Sequence, residues 1–93
     1  MSAPELSIVI PARNEAENLA SLLPELAAVL AGRAHETIVV DDGSSDDTAG
    51  VVRRLAAEHV TVRLARHRTS LGKSAALVTG ALAAASQTIV TLD

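Results

Sequence analysis

Four short apolar runs alternate along this chain with stretches of helical periodicity, and each run leads into a polar loop or tip. The runs are Leu6–Pro11, Glu36–Asp41, Val60–Ala65 and Thr88–Asp93. A β-α-β-α-β-α-β order with connections of a few residues implies an open parallel α/β sheet with right-handed crossovers. In such a sheet ligands bind in the crevice outside the carboxyl ends of the strands, where the strand order reverses. The expected order is third, second, first, fourth, because the loops after the first and second strands carry the polar residues that a shared site needs.

The elements between these runs follow from spacing. Leu19, Leu22, Leu23, Leu26 and Leu30 recur at helical intervals and predict a helix over 15–31. Asn14 is its expected N-cap, with Glu17 as capping-box partner. Pro24 predicts a kink within it, and Gly32 its stop. Ser44 or Ser45 is expected to cap a second helix, with Asp46 and Asp47 in its first turn and Val51, Val52 and Leu55 as its buried stripe. Val60–Ala65 alternates like an edge or half-exposed strand. A third helix over 72–85 is expected to face the sheet with Ala75, Val78 and Leu82. The last run reads as a buried strand that delivers Asp93 at its tip, with an unpaired edge.

Composition narrows the classes. Hydrophobic residues make up 48% of the 93, with no Phe, Tyr or Trp, so the core of this single unit, 1–93, must be aliphatic and close-packed. The absence of cysteine excludes a disulfide framework and any thiolate metal site, and fits a reducing, cytoplasmic location. A net charge of −3 argues against a nucleic-acid partner. Neither apolar stretch, Leu19–Ala31 with Pro24 and Glu25 inside it or Ala75–Ala85, reaches the ~20 residues a bilayer requires. No secretory signal pattern is visible at the N-terminus.

Three carboxylate-bearing strand ends point to a nucleotide or sugar-nucleotide site. In Asp41-Asp42-Gly43-Ser44, strand alternation lets only one of the two acids face the crevice. A carboxylate there accepts hydrogen bonds from a base imino N–H or a ribose hydroxyl; the alternative is that these acids only cap a helix. Arg13 and Glu15 belong to the same rim. His67-Arg-Thr-Ser-Leu-Gly-Lys-Ser74 ends like a phosphate-binding loop, but His67 stands where the first glycine belongs. Lys73 still meets a diphosphate from a helix start, or is a plain surface lysine. Arg63, Arg66, Arg68 and Lys73 form a basic stretch that reads as a solvated face or a phosphate-facing loop. His35, His59 and His67 follow no metal-ligand spacing and read as surface residues.

Together, Ser7-Ile-Val-Ile-Pro-Ala-Arg-Asn-Glu15, Ile38-Val-Val-Asp-Asp-Gly-Ser-Ser-Asp-Asp-Thr48, Leu71-Gly-Lys-Ser-Ala-Ala-Leu77 and Ile89-Val-Thr-Leu-Asp93 resemble glycosyltransferase family 2. The likeness is to its dolichyl-phosphate mannosyltransferase and polyprenyl-phosphate glycosyltransferase branch. The resemblance implies the N-terminal, nucleotide-binding half of a GT-A fold, which is Rossmann-like. It implies that Pro11, Arg13 and Glu15 line the base and ribose pocket and that Val40 and Asp42 meet the base. Asp93 becomes the first aspartate of a D-x-D motif holding Mg²⁺ or Mn²⁺ against the diphosphate. Arg13 replaces the aromatic residue common in the family, which leaves the base, in a GDP- or UDP-linked sugar, open.

Two readings remain. In one, the chain is the donor-binding part of a hexosyltransferase whose acceptor is a polyprenyl phosphate or glycan, acting in the cytoplasm or at the cytoplasmic face of a membrane. The second D-x-D acid and the acceptor site would follow Asp93, so these 93 residues alone are expected to be inactive. In the other, the chain is a nucleotide-binding or interaction module without catalysis.

Overall fold

The computed structural model describes residues 3–93, so residues 1 and 2 of the expected unit lie outside the described residues. The elements are β1 (Leu6–Ala12), α1 (Ala16–Val29), β2 (His35–Asp42), α2 (Thr48–Glu58), β3 (Val62–His67), α3 (Lys73–Ala83) and β4 (Ile89–Thr91). All strand pairs are parallel and the sheet order is β3-β2-β1-β4, as expected. The order reverses beside β1, which puts the crevice between the C-terminal ends of β1 and β4.

Strand alternation divides the core in two. Ile8, Ile10, Ala12 and Val39 point to one face, where Leu19 and Leu23 of α1 and Val52 of α2 cover them. Val9, Ile38 and Val40 point to the other face and meet Ala76 of α3. Here the structure corrects the expected face of α3. Ala76 and Gly80 are its buried residues, whereas Val78 is 58% and Leu82 83% exposed. A Cβ at Gly80 would overlap the Val9 methyl groups, so only the smallest side chains fit at this contact.

Helix ends also differ from expectation. α1 runs unbroken through Pro24 and stops at Val29, with Leu30 as C-cap; Gly32 is not in the left-handed region. Asn14 is not the N-cap of α1. That position is Glu15, and neither Glu15 nor Asp47, the N-cap of α2, caps with its own side chain. Asp46 and Asp47 precede α2 instead of lying in its first turn. Asp46 serves both helix starts from outside: its carboxylate accepts the Thr48 N–H at 3.0 Å, the Thr48 hydroxyl, and the Ala16 N–H at 3.4 Å. The hydrogen bonds from Thr48, aided by that from Ala16, hold the Asp46 carboxyl below the ordinary carboxylate range.

β4 is a short exposed edge, not a buried strand; Ile89 and Val90 are 38% and 41% exposed. Its ladder on β1 begins with the Ser7 N–H on the Thr88 carbonyl and ends with the Leu92 N–H on the Val9 carbonyl. Alternate N–H groups of a strand face the same neighbour, so Ser7, Val9 and Pro11 share the β4 side. Pro11 has no N–H. It therefore offers the Leu92 carbonyl no donor, and the cleft lies beside this position.

Candidate functional site

An open cleft of about 300 Å³ lies at this strand reversal, lined among others by Pro11, Arg13, Glu15, Asp42, Lys73 and Asp93. Six of the seven residues singled out from sequence thus come together. The seventh, Val40, does not: it is fully buried against Val9, Ile38 and Ala76, so its side chain belongs to the core.

Asp42 is tied down more completely than its sequence suggests. Its Oδ1 accepts from Nδ1 of His67 at 2.8 Å and from the Leu71 N–H at 2.8 Å. Its Oδ2 accepts from the Ser70 hydroxyl at 2.9 Å and the Gly72 N–H at 3.0 Å. A carboxylate offers about four acceptor positions, and all are filled. The hydrogen bond from His67, then those from Leu71, Ser70 and Gly72, hold the Asp42 carboxyl far below the ordinary carboxylate range, against the opposing effect of burial. Two N–H groups of the segment that resembles a phosphate-binding loop, those of Leu71 and Gly72, are thus spent on Asp42 and not free for phosphate. Gly72 adopts φ 99°, which orients its N–H inward.

His67 corrects the expectation of three surface histidines. Its side chain is only 9% exposed, and its Nε2 lies 2.7 Å from the Thr79 hydroxyl. With Nδ1 donating to Asp42, a neutral ring accepts the Thr79 proton at Nε2. His67 therefore joins β3, α3 and Asp42. Sequence pattern alone missed it: the alternating run ends at Ala65, whereas β3 continues to His67, whose register partner is Asp42. Ser70 likewise went unnoticed, because its partner lies 28 residues away.

Asp41 turns to the opposite face, as alternation requires. Its Oδ1 accepts the Ser44 N–H at 3.0 Å, and the Arg66 guanidinium stands 3.3 Å from Oδ2 as an ion pair. Gly43, at φ 69°, makes the turn that follows; a Cβ there would run into the backbone of Ser70. The basic stretch is thus largely spent on acids: Arg63 pairs with Glu36, Arg66 with Asp41, and Lys73 with Asp93 across the cleft. Arg13 is exposed on the rim and Glu15 half-buried.

Among the described residues no group of three or more His, Cys, Asp or Glu could hold a metal ion by itself. The Lys73 ammonium resting on Asp93 shows, however, that this carboxylate faces a position that takes positive charge. Mg²⁺ and Mn²⁺ sites beside phosphates typically use one or two protein carboxylates and complete their shell with phosphate and water oxygens. Asp93 fits that as a single ligand. No helix in the described residues is long and apolar enough to cross a membrane.

Comparison with known proteins places this geometry. The chain is 36% identical over 94 residues to a dolichyl-phosphate β-glucosyltransferase of Trichomonas vaginalis, covering 94% of this chain and 28% of that protein. It is 34% identical over 92 residues to the dodecaprenyl-phosphate galacturonate synthase of Rhizobium johnstonii, covering 96% of this chain and 27% of that protein. Among solved structures it is similar to a mannosyltransferase from Pyrobaculum calidifontis in complex with GDP-Man and Mn²⁺. There the TM-score is 0.74 at 27% identity, over 90% of this chain and 25% of that one. The chain therefore spans between a quarter and three-tenths of the length of these relatives, with the parallel sheet and flanking helices of the GT-A fold. The family model of glycosyl transferase family 2 matches residues 7–93, and the chain belongs to that family.

Proposed function

We propose that this chain is the donor-binding part of a hexosyltransferase, moving a sugar from a nucleoside diphosphate to a polyprenyl phosphate. The observation that carries the reading is the meeting of Arg13, Glu15, Lys73 and Asp93 around one cleft at the strand reversal. Arg13 stacks on the base, and Glu15 accepts from ribose hydroxyls. Lys73 would pair with the diphosphate, and Asp93 would hold Mg²⁺ or Mn²⁺, which would supply charge neutralisation of the leaving diphosphate. Asp42 lines the cleft with its acceptor positions filled, so it meets a base N–H only if the Ser70 hydroxyl turns away. Its supported role is to hold the loop that carries Lys73. A lipid-borne acceptor calls for a membrane surface, and the cytoplasmic face is part of this proposal.

Calorimetric titration of the chain with GDP and UDP, with and without MnCl₂, tests this. Binding of one nucleotide, strengthened by Mn²⁺ and weakened about tenfold by Arg13→Ala, is expected. Binding indifferent to Mn²⁺ and to Asp93→Asn would overturn it.

A further inference from the structure

At the end of the sheet opposite the cleft, Glu36 is buried at the start of β2 with a network that nothing in the donor site requires. Its Oε2 accepts the Ser7 hydroxyl at 2.6 Å and the Ala85 N–H at 2.6 Å. The Ser7 Oγ in turn accepts the Ser86 N–H at 3.1 Å, and Ser86 Oγ accepts the Thr88 N–H at 3.0 Å. Arg63 pairs with Glu36 Oε1 at 3.2 Å and donates to the Ala83 carbonyl, at the last turn of α3, at 2.5 Å. Residues from three strands thus grip the α3–β4 connection at 83, 85 and 86, immediately before β4 begins.

β4 needs that grip. Only three of its residues pair, Ile89 with Ser7, Val90 with Ile8 and Thr91 with Val9. Their side chains are all exposed, so the only apolar burial that favours this register over a slip is that of Leu92 just beyond them, half-buried on the core under α1. A one-residue slip would turn every side chain to the other face. Ile89, Thr91 and Asp93 share a face by alternation, and that face is the α3 side on which Lys73 starts its helix. Asp93 lies about 13 Å along the strand from Ile89, so its placement is inherited from the anchor at the far end.

We propose that Glu36, acting through Ser7, is a positioning residue for Asp93: it fixes the register of β4 and so places the cation-binding carboxylate. The metal half of this statement rests on the function proposed above; the register half does not. Glu36→Ala, Glu36→Asp and Ser7→Ala are compared with Val52→Ala, a core truncation remote from β4. Amide hydrogen exchange and GDP titration with and without MnCl₂ are the readouts. Glu36→Ala is expected to speed exchange at Ala85, Ser86 and Leu92 at least tenfold more than at the β1–β2 amides. It should cancel the gain in GDP binding from Mn²⁺ while leaving metal-free GDP binding within twofold. Glu36→Asp should recover part of both. Val52→Ala should raise exchange across the sheet without that bias. Unchanged protection at Leu92 in Glu36→Ala, or a loss matched by Val52→Ala, overturns the proposal. Wild-type binding that ignores Mn²⁺ defeats the metal reading of the site, and the exchange pattern still decides the register.

Discussion

The side-chain oxygen of Asn14 accepts two hydrogen bonds from Ser45, one from its backbone N–H at 2.9 Å and one from its hydroxyl at 3.3 Å. The same oxygen takes the Asp46 N–H at 3.3 Å, and Ser44 Oγ accepts the Asn14 N–H at 2.9 Å. Asn14 therefore clasps the β1–α1 loop, which carries the cleft residues Arg13 and Glu15, to the β2–α2 loop.

Asn14 sits at φ 56°, where asparagine is tolerated and alanine is strained. Asn14→Ala should lose the clasp and add backbone strain, lowering stability by about 2–3 kcal/mol. Asn14→Gly should lose the clasp alone and cost less. Urea unfolding of the three proteins checks the order; a glycine variant weaker than the alanine one would show that backbone strain at this position is not a factor.

Asp42 gives the fold an acid limit. Its folded-state pKa is lowered, so the stability it contributes is present above the unfolded carboxylate value near ~4 and is lost as pH falls towards the folded value. Asp46 adds in the same direction. Asp42→Asn should cost about 3 kcal/mol at neutral pH, because it turns an amide toward buried donors. It should also flatten the fall in stability below pH 4. Thermal unfolding from pH 7 to pH 2 distinguishes this from a uniform loss.

Gly80 is required by Val9. Gly80→Ala gains about 1 kcal/mol in helix propensity but overpacks a fully buried valine, which typically costs about 1–3 kcal/mol. A drop in Tm of several degrees is expected, reversed in the double variant Val9→Ala/Gly80→Ala relative to Val9→Ala alone. Additive effects in this cycle would mean that the two residues do not meet.

Lys73 and Asp93 are both more than half exposed, and exposed pairs contribute little to stability. Lys73→Ala should change the unfolding free energy by less than about 1 kcal/mol. Metal-free GDP binding should weaken about three- to tenfold, a difference that shrinks as salt is raised. Loss of stability without loss of binding would make Lys73 a structural residue.

Local pattern was enough for the four strands, the three helices and the acids at the strand tips, because hydrophobic periodicity and strand alternation act within a few residues. It also placed Asp41 and Asp42 on opposite faces. The strand order was legible because two polar loops had to share one site. What the sequence could not show was which donors reach each acceptor. Asn14 has a capping-box pattern, yet its oxygen goes to Ser45, 31 residues away. His67 looked like a surface histidine, yet it closes on Asp42, 25 residues away. In α3, Ala75, Val78 and Leu82 lie at helical spacing just as Ala76 and Gly80 do. Spacing cannot choose between them; the room left by Val9 does, and it admits only the smaller set. Tertiary structure decided these cases because a polar group takes whichever partner the packed backbone brings within hydrogen-bond reach, and a tight contact selects for size before hydrophobicity.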